Sequence, residues 1–231
     1  MNVVPALEFF HVEENHYYNI AYNTAKFNFA DIVKEWFGTS DLETLHQDRQ
    51  YDLLDREHDQ STHWHQLFYE KFRSDESFNT MYLLLLKHIK TLVYHEQQIV
   101  YQRIPSFRVH LPNNVAVGEF HKDKDYRDPE WAKRVMESNF YLPLTTTNEH
   151  NTIWAESEED KKDYAPMLAD YGECLMWDGS NLTHGSKTNK SDKTRVSVDF
   201  RIIPKELYEE SSHGSINTKV TFKIGGYYEI L

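Results

Sequence analysis

Between residues 99 and 204 the chain alternates short β-type runs with turn-forming stretches. IVYQRIPSFRVHL, NVAVGEF, NFYLPL, NTIWAES, ECLMW, LTHGS and TRVSVDFRII follow one another. Pro112, Asn113 and Asn114 mark the first turn. About seven short strands in roughly 100 residues is the density of a β-sandwich or barrel. The last run is the most informative. Alternate residues of an extended chain share a face. Arg195, Ser197, Asp199 and Arg201 therefore form one stripe, and Val196, Val198, Phe200 and Ile202 the other. Such a strand sets its apolar stripe on packed helices and its polar stripe toward a cavity or water.

Residues 23–98 have a different period. In TAKFNFADIVKEWFG, Phe29, Ile32, Val33 and Trp36 recur at helical spacing, and Gly38 is a stop signal. STHWHQLFYEKF repeats the pattern with Trp64, Leu67, Phe68 and Phe72. The longest helical candidate runs from about residue 77 to 97. The expected organisation is one domain over 1–231. It has a mainly helical part at 1–98, a β core at 99–204 and an extension at 205–231 that adds a hairpin around Gly225 and Gly226.

Composition excludes several classes. The chain is 39% hydrophobic and 14% aromatic, enough to fill a core and too apolar for disorder. A formal charge of −12 argues against a nucleic-acid groove or an anionic membrane surface, and fits a small or cationic partner. Cys174 is the single cysteine, so no intramolecular disulfide or cysteine-based zinc site can form. No signal peptide and no apolar run of membrane-spanning length is visible, so a cytoplasmic location is expected.

The chemistry gathers in the strand-rich half. In VAVGEFHKDKDYRD a strand starting near Val115 and Val117 places His121 and Asp123 on one face. His184 follows in NLTHGS, and Arg195 with Ser197 in TRVS. Two neutral imidazoles and one carboxylate hold Fe(II) and leave adjacent positions open for a bidentate co-substrate and dioxygen. A second carboxylate on that co-substrate needs a fixed cation, and the planar arginine fork suits it. The competing reading is a polar strand end in water; the four points together favour a site.

These residues carry a family resemblance. HKD…H…RVS, within a wider stretch covering about 99–204, resembles the Fe(II)- and 2-oxoglutarate-dependent oxygenases. The stretch is similar to their streptomycin-biosynthesis (StrG-like) branch, near the phytanoyl-CoA hydroxylase type. The resemblance implies a double-stranded β-helix (jelly roll) core buttressed by the N-terminal helices. It implies His121, Asp123 and His184 as iron ligands, and Arg195 with Ser197 as the anchor of 2-oxoglutarate. Asn139, in NFYLPL, is expected against the co-substrate, and Asp123 argues against a halogenase, which would carry Ala or Gly there. The implied reaction is dioxygen-dependent hydroxylation of an aliphatic C–H in a small polar metabolite, with desaturation, epimerisation or ring closure as variants. Two rivals are a cupin-like metalloprotein without 2-oxoglutarate and a non-catalytic jelly-roll module.

Other positions are secondary. Arg108 and Trp154 fall on expected core strands and are candidate substrate contacts. Glu119 shares the face of His121. His63 and His65 diverge by about 200° on a helix and cannot share an ion, even with His58 near. His88 and His95 are read as core or solvated side chains. The loops 124–138 and 157–170 are expected to be polar, the first a candidate lid together with the helices and the tail.

Overall fold

In the computed structural model of the chain, the residues described are 17–47, 61–116, 120–135, 137–211, 213–214 and 220–231. Ten strands and four helices are assigned among them. The strands are β1 (Tyr17–Ala21), β2 (Ile99–Gln102), β3 (Ser106–His110), β4 (Ser138–Pro143), β5 (Ile153–Ala155), β6 (Ala165–Pro166), β7 (Glu173–Trp177), β8 (His184–Ser186), β9 (Arg195–Pro204) and β10 (Tyr228–Ile230). The helices are α1 (Phe29–Phe37), α2 (His63–Ser74), α3 (Ser77–Val93) and α4 (Pro129–Ala132).

The larger sheet runs β1-β7-β4-β9-β2-β10, with β3 also on β9. β9 spans ten residues and organises it. One edge pairs β4; the other pairs β3 opposite Arg195–Asp199 and β2 opposite Ile202–Pro204. The second sheet is β6-β5-β8. Every pairing between these strands is antiparallel. This is the jelly-roll architecture, mainly β with buttressing helices.

β9 divides as its alternation requires. Val196, Val198, Phe200 and Ile202 are fully buried in the same core cluster as α1, α2 and α3. Phe200 stacks on Phe140 with centroids 5.0 Å apart, and Phe107 stacks on Phe68 at 4.1 Å. On the opposite face Tyr141, Leu175, Trp177 and Leu182 form a smaller cluster with Met167. The polar stripe of β9 shares that inner side.

Local signals set the helix ends. Gly38 adopts φ +67° and closes α1 by donating to Glu35 O. Thr62 caps α2 by accepting from His65 N–H. α3 stops at Val93, short of the expected 97, because His95 and Glu96 turn to positive φ.

The structure departs from several further expectations. Val115 and Ala116 are irregular rather than strand, and residues 117–119, including Val117 and Glu119, lie outside the described residues, as does His58. Among the described residues of the tail there is no simple hairpin; β10 joins the large sheet beside β2, and the described turn region holds isolated bridges. Loop 124–138 contains α4, capped by Asp128, and loop 157–170 contains β6. β1 brings N-terminal chain into the core sheet against β7. Among the described residues, no helix is long and apolar enough to cross a membrane.

Candidate metal centre

His121 and His184 are brought together by backbone. Each N–H donates to the other's carbonyl at 2.9 Å, an isolated antiparallel bridge between the segment before Asp123 and the start of β8. The chain then tightens into a 3-10 turn over Asp123–Tyr126, anchored by Asp123 N–H to Gly179 O at 3.0 Å. The expected convergence of His121 and Asp123 is thus reached through a bridge and a turn, not a continuous strand.

Asp123 Oδ1 lies 3.6 Å from His121 Nε2 and 4.0 Å from His184 Nε2. One ligand atom from each side chain falls within 4.8 Å of the others. This is the one such grouping of three or more among the described residues. His184 Nδ1 lies 2.9 Å from Leu182 O. A carbonyl can only accept, so Nδ1 carries the proton and Nε2 is left with its lone pair. Burial holds the His184 pKa down to about 4, and the imidazole is neutral at neutral pH. Trp177 packs edge-on against it at 4.5 Å. Burial acts to raise the Asp123 carboxyl, but Arg201, His121 and His184 outweigh it and hold it well below the usual carboxylate range. Two imidazole nitrogens and one ionised carboxylate oxygen, converging from one half-buried and two buried side chains, fit a first-row divalent cation.

The anion side of the cavity is separate. Arg195 opens β9 and is only 1% exposed, yet its Nε and Nη1 have no hydrogen-bond partner. Ser197 Oγ is also buried and unpartnered. The Tyr141 ring lies 5.7 Å from the Arg195 guanidinium. A buried cation with unsatisfied donors is costly unless an anion accepts from them. A carboxylate, which accepts from a planar fork and a hydroxyl together, matches this donor set.

A cavity of about 50 Å³ joins the two sides, lined among others by His121, Asp123, Asn139, His184, Arg195 and Arg201. Asn139 lines it, and its Nδ2 donates to Asp123 Oδ2 at 2.7 Å, toward the carboxylate of the triad. Arg108 also lines it, with Nε 2.9 Å from Asp199 Oδ2. Trp154 does not. Alternation on β5 turns Ile153 inward, while Trp154 bonds Glu149 O and lies under Lys187. No residue of α1, α2 or α3 lines the cavity among the described residues. His65 is buried beside Phe107 and bonded to Thr62, as a core histidine. Burial and the nearby Arg108 lower its pKa to about 3.

Sequence reasoning missed Arg201 and Trp177 as parts of the site. Arg201 was visible on the polar stripe of β9; its partner Asp123, far away in the chain, was not legible. Trp177 read only as the end of an apolar strand.

No protein-family model matches the chain. It is 38% identical over 216 residues to the streptomycin biosynthesis protein StrG of Streptomyces griseus, an alignment spanning 92% of this chain and 98% of StrG. The chain belongs to the StrG family. Solved structures share the fold of this StrG-family protein at low identity. The non-heme α-ketoglutarate-dependent epimerase SnoN of nogalamycin biosynthesis aligns with TM-score 0.51 and 9% identity over 97% of this chain and 98% of SnoN. The carbocyclase SnoK of the same pathway aligns with TM-score 0.51 and 11% identity over 100% and 97%. EvdO2 from Micromonospora carbonacea var. aurantiaca, solved with 2-oxoglutarate, aligns with TM-score 0.51 and 9% identity over 95% and 97%.

Proposed function

We propose that this StrG-family protein is an Fe(II)- and 2-oxoglutarate-dependent oxygenase acting on a small polar metabolite. The observation that carries this reading is the pairing of two half-sites in one buried cavity. His121, Asp123 and His184 converge on one side, and the unpartnered donors of Arg195 and Ser197 stand on the other. A metal-only cupin would have no use for a buried, unneutralised arginine.

His121, Asp123 and His184 would hold the iron, and Arg195 with Ser197 would donate to the far carboxylate of 2-oxoglutarate. When bound, iron and 2-oxoglutarate supply the oxidising power with dioxygen, releasing succinate and CO₂. The chain's own residues orient and enclose. Trp177 packs against His184 and Leu182 O fixes its tautomer, so the nitrogen that faces the site is Nε2. Arg195 is itself buried, which strengthens its interaction with a carboxylate. Arg108, beside Asp199, is the remaining candidate for a substrate contact.

The StrG relationship supports a natural-product substrate such as an aminocyclitol, sugar or amino-acid derivative. Hydroxylation of an aliphatic C–H is the outcome proposed. The named epimerase and carbocyclase on this fold make succinate, not a hydroxylated product, the first readout. The test measures Fe(II)-dependent succinate release across a panel of amino- and polyhydroxylated small molecules, with His184→Ala as control. The expected result is 2-oxoglutarate turnover that depends on Fe(II) and on His184. Metal binding without any 2-oxoglutarate binding would overturn the reading in favour of a cupin-like metalloprotein.

A further inference from the structure

The two oxygens of Asp123 have unlike surroundings. Oδ1 faces His121 and His184. Oδ2 accepts three donors: Arg201 Nη2 at 2.6 Å, Arg201 Nε at 3.0 Å and Asn139 Nδ2 at 2.7 Å. Asp123 is buried and Arg201 largely so, with side-chain exposures of 7% and 12%, so solvent screens the pair little. Three donors saturate an oxygen that has two lone pairs.

We propose that Arg201 is a positioning residue for the metal centre. It occupies Oδ2, leaves Asp123 to bind an ion through Oδ1 alone, and so keeps open the position that a second carboxylate oxygen would take. This rests on the metal reading above and goes beyond it. Arg201 is itself fixed from the far side. Its Nη1 donates to Gln102 Oε1 at 3.2 Å and to Tyr227 Oη at 3.1 Å. The Gln102 amide nitrogen is engaged with Ile104 O and Ser106 Oγ, which turns its oxygen to Arg201. Tyr227 immediately precedes β10, and Tyr228 Oη bonds the buried Glu137. The C-terminal segment, outside the 99–204 core, therefore supports a ligand of the core through two intervening side chains. A fork explains the geometry: only a planar guanidinium can place two N–H groups on one carboxylate oxygen and a third on separate acceptors.

The experiment titrates Co(II), then 2-oxoglutarate, into wild type, Arg201→Gln, Arg201→Lys, Tyr227→Phe and Arg195→Ala. Arg201→Gln is expected to change the visible spectrum of the Co(II) protein and weaken 2-oxoglutarate binding about 10–100-fold. Arg201→Lys, a compact donor without the fork, gives the same spectral change with a smaller loss. Tyr227→Phe removes one supporting hydrogen bond and weakens 2-oxoglutarate binding about fivefold, the equivalent of ~1 kcal/mol. Arg195→Ala weakens 2-oxoglutarate binding and leaves the Co(II)-only spectrum unchanged. An unchanged spectrum with 2-oxoglutarate affinity within about twofold in Arg201→Gln, whatever its melting temperature, would reduce Arg201 to an ion pair of the fold and overturn the proposal. If Arg201→Gln does not fold, unchanged spectra in both Arg201→Lys and Tyr227→Phe overturn it. Wild type that binds no Co(II) overturns the metal reading beneath it, a different result from either.

Discussion

Replacing Arg195 by methionine separates stability from ligand binding. Methionine has similar length and keeps the apolar packing of the arginine stem. The substitution removes two buried N–H groups that have no partner in the protein, Nε and Nη1. Each such group costs about 1–3 kcal/mol. Against this stands the loss of the Tyr141 contact at 5.7 Å, worth about 0.5–2 kcal/mol. The difference favours the variant by about 0–5 kcal/mol, centred near 3, a rise of several degrees in melting temperature for a chain of this size. Ligand response moves the other way. Wild type with 2-oxoglutarate at 100 times its Kd gains about 2.7 kcal/mol, and the variant gains none at that concentration. Thermal melts of the metal-loaded protein with and without 2-oxoglutarate measure both. Arg195→Met that is destabilised by more than about 2 kcal/mol, or that keeps the wild-type ligand response, would refute the reasoning that this cation is held for an anion.

Other expectations follow from burial and orientation. Burial holds His65 and His110 near pKa 3, far below their unfolded value, so the unfolded chain binds the extra protons. Their contribution is complete above about pH 6.5 and falls with acidification, reaching about 2 kcal/mol lost for each at pH 5; urea midpoints equal at pH 7.5 and 5 would contradict this. Phe200→Ala removes a fully buried ring stacked on Phe140 and should cost about 3–5 kcal/mol by chemical denaturation. Because Phe200 faces the helices, Co(II) affinity of the folded variant should match wild type. Trp154→Ala should leave Co(II) and 2-oxoglutarate affinities unchanged by calorimetry, because the ring lies outside the cavity; a loss in either would return Trp154 to the site.

Much of this was legible in the sequence where local pattern decides. The two stripes of β9 follow from a period of two, and the faces of α1 and α2 from a period near four, so Val196, Phe200, Phe29 and Trp36 could be placed in the core without coordinates. His121, Asp123, His184 and Arg195 were identified by chemistry and family likeness, and the fold brings them to one cavity. What could not be read was non-local. The bridge between His121 and His184 depends on backbone pairing between distant segments, so the bridge and turn that present Asp123 could not be read locally. Arg201 was placed on the correct face, but nothing local says that a carboxylate 78 positions away will be its partner. Trp154 does not line the cavity; a three-residue strand has only one alternation to read, and its phase comes from the tertiary fold. The tail was misjudged for the same reason: β10 is fixed by an edge of the sheet offered by β2.

The central claim is that one cavity binds iron through His121, Asp123 and His184 and 2-oxoglutarate through Arg195. Anaerobic titration of 2-oxoglutarate into the Fe(II)-loaded protein, followed by visible absorption, tests it most directly. The account predicts a metal-to-ligand charge-transfer band that saturates at one equivalent and is lost in Asp123→Ala. Iron binding that yields no band, or a band that persists without Asp123, would contradict it.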